Sequence, residues 1–114
     1  MLGAALQDAD RLDALGSVGI ARCLAVSAQL NAVLFDGPDP WAEHRELNDR
    51  RFSVDHFFTK LFKLPANMNT ATGYKEAQSR VRHMRAFLQQ LADELGVDLP
   101  ETAEMDTSRP FQQR

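Results

Sequence analysis

A single cysteine, Cys23, is all the thiol chemistry this chain holds. An internal disulfide framework is thereby excluded, and the usage suits a reducing compartment. Cys23 lies between Arg22 and Leu24 in an apolar stretch and reads as a small buried residue. Long apolar runs are missing too: nothing approaches the roughly 18 residues that a membrane-spanning helix needs. The first residues, Met1 to Leu6, show neither a basic start nor an apolar core of signal-peptide length. These absences lead to the expectation of a soluble cytoplasmic protein with no membrane partner. An excess of positive charge is also lacking, since 13 Lys and Arg face 16 Asp and Glu for a net charge of -3. That balance argues against nucleic acid as a partner. Strand-like alternation is poor throughout, so nothing points to a sheet.

What is present is helical spacing. The 114 residues, 44% of them hydrophobic, fit one small folded domain. A first helical region spans about Leu6 to Leu34, with Gly16 and Gly19 marking a bend or restart. Asp36-Gly37-Pro38-Asp39-Pro40 ends it, because neither proline can continue a helix. Phe35 to Phe52 then reads as a long charged surface loop around the single tryptophan, Trp41, with a helical turn near Glu43 to Leu47. A second helix is expected from an N-cap at Ser53 to a stop before Pro65, with Val54, Phe57, Phe58, Leu61 and Phe62 as its apolar face. The third carries Tyr74, Ala77, Val81, Met84, Leu88, Leu91 and Leu95 at intervals of three and four. Thr70 or Thr72 suits its start and Gly96 its end. The expected fold is all-α, about three main helices with a long loop. Residues 1–96 form the domain and 97–114 a polar, aperiodic, mobile tail.

The densest chemistry lies near the start, where Asp8, Asp10 and Asp13 put three carboxylates within a short helical stretch. On a helix Asp10 and Asp13 share a face and Asp8 points away. One reading is an acidic helix start that complements the backbone dipole. The other is part of a site for a hard divalent cation, which prefers carboxylate oxygens. The residues alone leave both open. Further on, His56, Lys60 and Lys63 are spaced to share one helix face, either as a phosphate-facing stripe or as a solvated surface.

Three blocks carry a resemblance. Gln7 to Arg22 (QDADRLDALGSVGIAR) looks like the late signature of HD-domain metal-dependent phosphohydrolases, in a bacterial branch of nucleotide-directed or uncharacterised members. Asp55 to Thr70 (DHFFTKLFKLPANMNT) matches the same branch, and Ala77, Arg80, Met84, Phe87 and Leu88 follow at the family's spacing. The resemblance implies an HD-like helical bundle of which this chain is the C-terminal part. Family members hold a divalent metal, Mn, Mg or Fe, with a histidine, a His-Asp dipeptide and a later aspartate in an Ala-Asp-x-Leu context. Here that context is Ala9-Asp10-Arg11-Leu12, so Asp10 is the expected metal ligand. Asp8 and Asp13 are the candidates for second-sphere support or helix capping. Arg22, His56, Lys60 and, less directly, Lys63 are the candidates for substrate phosphate.

The sequence departs from the pattern in one respect. Its histidines are His44, His56 and His83, and no His-Asp dipeptide occurs; Asp55-His56 has the reverse order. No complete catalytic set is present, so the chain alone is expected to be inactive and to bind metal poorly. A truncated gene, a misplaced coding start or a separate polypeptide supplying the N-terminal half would each account for this. A non-catalytic helical remnant or interaction module of the same ancestry is the alternative. Partners expected on this reading are the N-terminal half, a second copy docked through apolar helix faces, and, in the intact enzyme, a nucleotide or other phosphate substrate.

Overall fold

The computed structural model describes residues 2–100. It contains four α-helices, α1 (Leu2–Leu12), α2 (Gly16–Gln29), α3 (Ser53–Thr59) and α4 (Ala71–Leu95), with a 3₁₀ segment, Leu61–Asn67, between the last two. The architecture is all-α; among the described residues the only β-type pairing is an isolated bridge between Val33 and Phe52. Among the described residues no helix is long and apolar enough to cross a membrane.

The first helical region divides in two at Asp13–Leu15. Gly16 sits at φ +68, a left-handed conformation that glycine adopts at no steric cost. Gly19 is required for a different reason: a Cβ there would lie 2.2 Å from the Ala14 carbonyl oxygen. The chain therefore folds back tightly between α1 and α2, and Leu15 at the corner is fully buried.

α4 organises the core. Ala77, Val81, Met84, Leu88 and Ala92 are all fully buried, one stripe along the helix. Thr70 caps its start, accepting a hydrogen bond from the Gly73 backbone N at 3.0 Å. Gly96 ends it at φ +72, and the Val97 N–H closes back on the Ala92 carbonyl at 3.0 Å. Beyond that turn Leu99 packs against the core; the expected mobile tail from residue 101 onward lies outside the described residues.

The second helix is shorter than its apolar pattern implies. α geometry stops at Thr59, Lys60 takes φ -135 and ψ -54, and the chain tightens into 3₁₀ turns that run through Pro65. An α-helix continued through Pro65 would lose the bond from its nitrogen to Leu61 and press its ring on that carbonyl. Ser53 is the first helical residue rather than the N-cap, a position held by Phe52. Val54, Phe57 and Leu61 are buried against α4, with Phe58 and Phe62 packed at the edge. Phe57 stacks on Phe87 with centroids 6.1 Å apart and meets Phe62 edge-on at 6.0 Å. The apolar faces of α3 and α4 thus pack against each other. Large apolar side chains are exposed elsewhere, on α1 (Leu6), on α2 (Val18, Val26) and just after it (Leu30, Val33).

Residues 30–52 form the long connection, and it is ordered by charge. The Arg45 guanidinium reaches the fully buried Asp55 carboxylate at 2.7 and 3.2 Å and Asp36 at 3.0 Å. The Asn48 N–H adds a third bond to Asp55, at 2.7 Å. No helical turn forms at Glu43 to Leu47; instead the Asp39 carboxylate accepts from the backbone N–H of Glu43 and His44, each at 2.9 Å. Trp41 is buried beside Phe58.

Candidate functional site

A cleft of about 280 Å³ opens between α2, the end of the long connection and the α3 C-terminus. α2 contributes Arg22 and Cys23 with apolar Val26 and Leu30; the connection contributes Asp49 and Arg50; the far wall is His56, Lys60 and Leu61. Arg22, more than 30 residues away in sequence, therefore shares one concave surface with His56 and Lys60. The break at Lys60 shapes this arrangement. His56 remains on α3, while Lys63, exposed on the 3₁₀ segment, is not among the lining residues.

The polar groups in the cleft are unevenly tied. Arg22 donates to the Asp13 carbonyl oxygen at 3.2 Å, which anchors it beside the α1–α2 corner. The His56 Nδ1 lies 3.1 Å from the Asp49 carboxylate, and the Thr59 hydroxyl donates to the same oxygen at 2.9 Å. These two contacts, His56 first, hold the Asp49 carboxyl below its ordinary range against the opposing effect of burial. The side chains of Lys60 and Arg50 meet no partner among the described residues, so both remain available to an anion. Cys23 is half-buried, and burial pushes its thiol upward, away from thiolate chemistry. The arrangement is a mostly cationic pocket with one carboxylate and an apolar flank. It can bind and orient a phosphate through point charges and a guanidinium fork.

The acidic cluster takes three different positions. Asp8 is buried beneath the start of α4, where its carboxylate accepts from the backbone N–H of Asn69 (2.7 Å) and Thr70 (2.9 Å) and from the Thr70 hydroxyl (2.6 Å). Burial pushes its pKa up, but these hydrogen bonds and the nearby Arg11 bring it to a net value below the ordinary one. Asp8 is thus engaged in capping a helix that begins more than 60 residues later. Asp13 is exposed, and its carbonyl rather than its carboxylate meets Arg22. Asp10 is exposed on α1, and its carboxylate makes no hydrogen bond or ion pair among the described residues. Those residues bring together no three metal-ligating side chains, so they do not by themselves fit a divalent ion.

Asp49 and Arg50 escape a reading based on periodicity because both lie in the connection. The one local hint is the run Asn48-Asp49-Arg50-Arg51, a dense charge cluster directly before a helix start.

No protein-family model matches the chain. The uncharacterized protein YpgQ of Bacillus subtilis is 40% identical to it over 97 residues, 84% of this chain and 42% of the relative. The crystal structure of YpgQ in complex with ADP aligns with a TM-score of 0.67 at 35% identity, over 81% of this chain and 43% of that one. An HD-superfamily hydrolase from Bacillus thuringiensis aligns with a TM-score of 0.70 at 38% identity, over 84% of this chain and 47% of that one. A Lactobacillus plantarum structure gives 0.68 at 39% identity, over 84% and 48%. The chain spans less than half the length of each of these relatives. Sequence and fold together place it with the HD-superfamily hydrolases, as the counterpart of the C-terminal portion of their fold.

Proposed function

We propose that this chain supplies the phosphate-binding cleft, and one metal-ligating carboxylate, of a metal-dependent phosphohydrolase acting on a nucleotide. The observation that carries the reading is the convergence of Arg22, His56 and Lys60 on one cleft, joined there by Arg50. The apolar flank of Val26 and Leu30 leaves room for a group less polar than phosphate. A nucleotide combines both, and the related YpgQ has been solved in complex with ADP.

Asp10 is the proposed ligand because it stands in the Ala-Asp-x-Leu context and its exposed carboxylate, unlike that of Asp8, is not engaged within the fold. One carboxylate supplies far fewer than the roughly six oxygens that a hard cation takes. The remaining ligands belong to the other portion of an HD fold, which these 114 residues do not contain. When bound, such a metal would supply an activated water. The residues of this chain would hold the phosphoryl oxygens and offset the charge developing on them.

The test restores the other portion of an HD fold, by fusion or co-expression, and follows metal content and phosphate release. Asp10→Asn should remove both while leaving the fold intact. Lys60→Ala should raise KM and leave metal content unchanged, since it removes a phosphate contact and no ligand. Retention of full metal and rate by Asp10→Asn, with loss of both in Asp13→Asn, would mean the wrong carboxylate has been assigned. A restored protein that binds neither metal nor nucleotide would favour a non-catalytic helical module of the same ancestry.

A further inference from the structure

His56 enters the cleft through a three-residue arrangement that the phosphate reading does not require. Its Nδ1 faces the Asp49 carboxylate at 3.1 Å, and the Thr59 hydroxyl fixes that carboxylate from one turn along α3, at 2.9 Å. An ionised carboxylate only accepts hydrogen bonds. The two neighbouring groups hold Asp49 in that ionised form. The proton of a neutral His56 ring therefore belongs on Nδ1, and Nε2 carries a lone pair. Nε2 has no partner among the described residues and is not a buried unsatisfied atom, so it meets solvent in a residue that lines the cleft.

We infer that Asp49 is a positioning residue: braced by Thr59, it selects the Nδ1–H form of His56 and turns Nε2 toward the bound phosphate. In that form the ring accepts a proton at Nε2 and, once protonated, donates Nε2–H to a phosphoryl oxygen. The charge left on the ring is then balanced by Asp49. The other charged or titratable groups around it are Arg22 and Cys23 from α2, Arg50 from the connection and Lys60 at the end of α3. None of these fixes the ring; they add charge to the cleft while Asp49 sets the direction in which His56 acts. The inference rests on the cleft being the phosphate site.

The test uses the 114-residue chain, ¹⁵N-labelled at histidine, arginine and lysine, with inorganic pyrophosphate as probe. Long-range ¹H–¹⁵N correlation in alkaline solution reports which ring nitrogen of His56 carries the proton, with His44 and His83 as internal controls. The wild type should show Nδ1–H. Asp49→Asn can present an N–H instead of an acceptor and should shift His56 to the other tautomer, as an Asp-to-Asn change does in a catalytic triad. With the His56 ring protonated, so that Nε2–H can donate, pyrophosphate should move its signals. It should bind about tenfold more weakly to Asp49→Asn, which lacks the carboxylate that supports the charged ring in this roughly one charge-supported hydrogen bond. Thr59→Val, which removes the brace without touching the charge, should give the same tautomer shift in part. If the tautomer is unchanged in both variants while pyrophosphate still moves Arg22 and Lys60, the positioning role is overturned and the phosphate cleft stands. If pyrophosphate moves none of the three, both fall.

Discussion

Asp8 shows how little the type of a residue says about its task. Three carboxylates in one short stretch read as a dipole-matched helix start or a metal site. Yet Asp8 points down into the α4 N-terminus and satisfies backbone groups there. Helical spacing correctly separated it from Asp10 and Asp13, but which face meets which element is set by the turn at Gly16 and Gly19. Asp8→Ala should cost about 2 to 3 kcal/mol in denaturant unfolding, the scale of a lost cap that was also a charged acceptor. The pH dependence has a definite sign. Because the folded pKa lies below the ordinary value of 3.8, the stability from Asp8 is fully present above that value and is lost as pH falls through the folded one. Asp8→Asn should flatten that acid limb of the stability curve. Gly73 guards the same contact, since a Cβ there would lie 2.3 Å from the Asp8 carboxylate. Gly73→Ala should therefore destabilise the chain, despite alanine's better helix propensity. An unchanged midpoint in either variant would show that the cap carries no weight.

At the level of elements, the sequence reveals α4 almost in full. Its stripe, its Thr70 cap and its terminal Gly96 are local signals that packing does not override. The same kind of signal overstates the second helix, because apolar spacing continues past the residue where Pro65 forces a tighter turn. The connection between α2 and α3 was legible only as charge. Its order comes from Arg45 and Asp55, ten residues apart, meeting beneath Arg45's stack over Phe52 at 4.3 Å. No periodicity encodes such a pair, and the cleft residues Asp49 and Arg50 are held in place by the same segment. Arg45→Met should leave the Asp55 carboxylate buried and unpaired, at about 3 to 5 kcal/mol. The loss should appear both as a lower unfolding midpoint and as weaker pyrophosphate binding, because the cleft wall would loosen. Loss of stability with undiminished binding would separate the connection from the site.

For the molecule as a whole, the apolar faces of α3 and α4 are matched to each other, and exposed apolar side chains lie on α1, on α2 and at the start of the connection that follows it. Leu6, Val18, Val26, Leu30 and Val33 are each more than half exposed, with relative accessibilities from 53% to 66%. Apolar area is worth about 25 cal/mol per Å² when removed from water, so several hundred Å² represents several kcal/mol of unused association energy. Patches of that size on soluble proteins mark interfaces. The isolated chain should therefore self-associate at high concentration. Leu6→Lys with Val18→Lys, both outside the cleft, should return it to a monomer in light scattering or sedimentation. A parent chain that stays monomeric at high concentration would show that this surface is inert.

The capping contact between Asp8 and Thr70 has a kinetic side. The partners are 62 residues apart, so Thr70, the residue that caps the first turn of α4, gains its own acceptor only after a long loop has closed and α1 has docked. Formation of α4 should therefore proceed from its middle, around Val81 to Leu88, and reach its N-terminal turn last. In hydrogen exchange, the amides of Thr70 and Gly73 should open together with those of α1 as one cooperative unit, below the protection of the helix centre. Removing α1's anchor with Asp8→Ala should release those amides while leaving the centre of α4 protected.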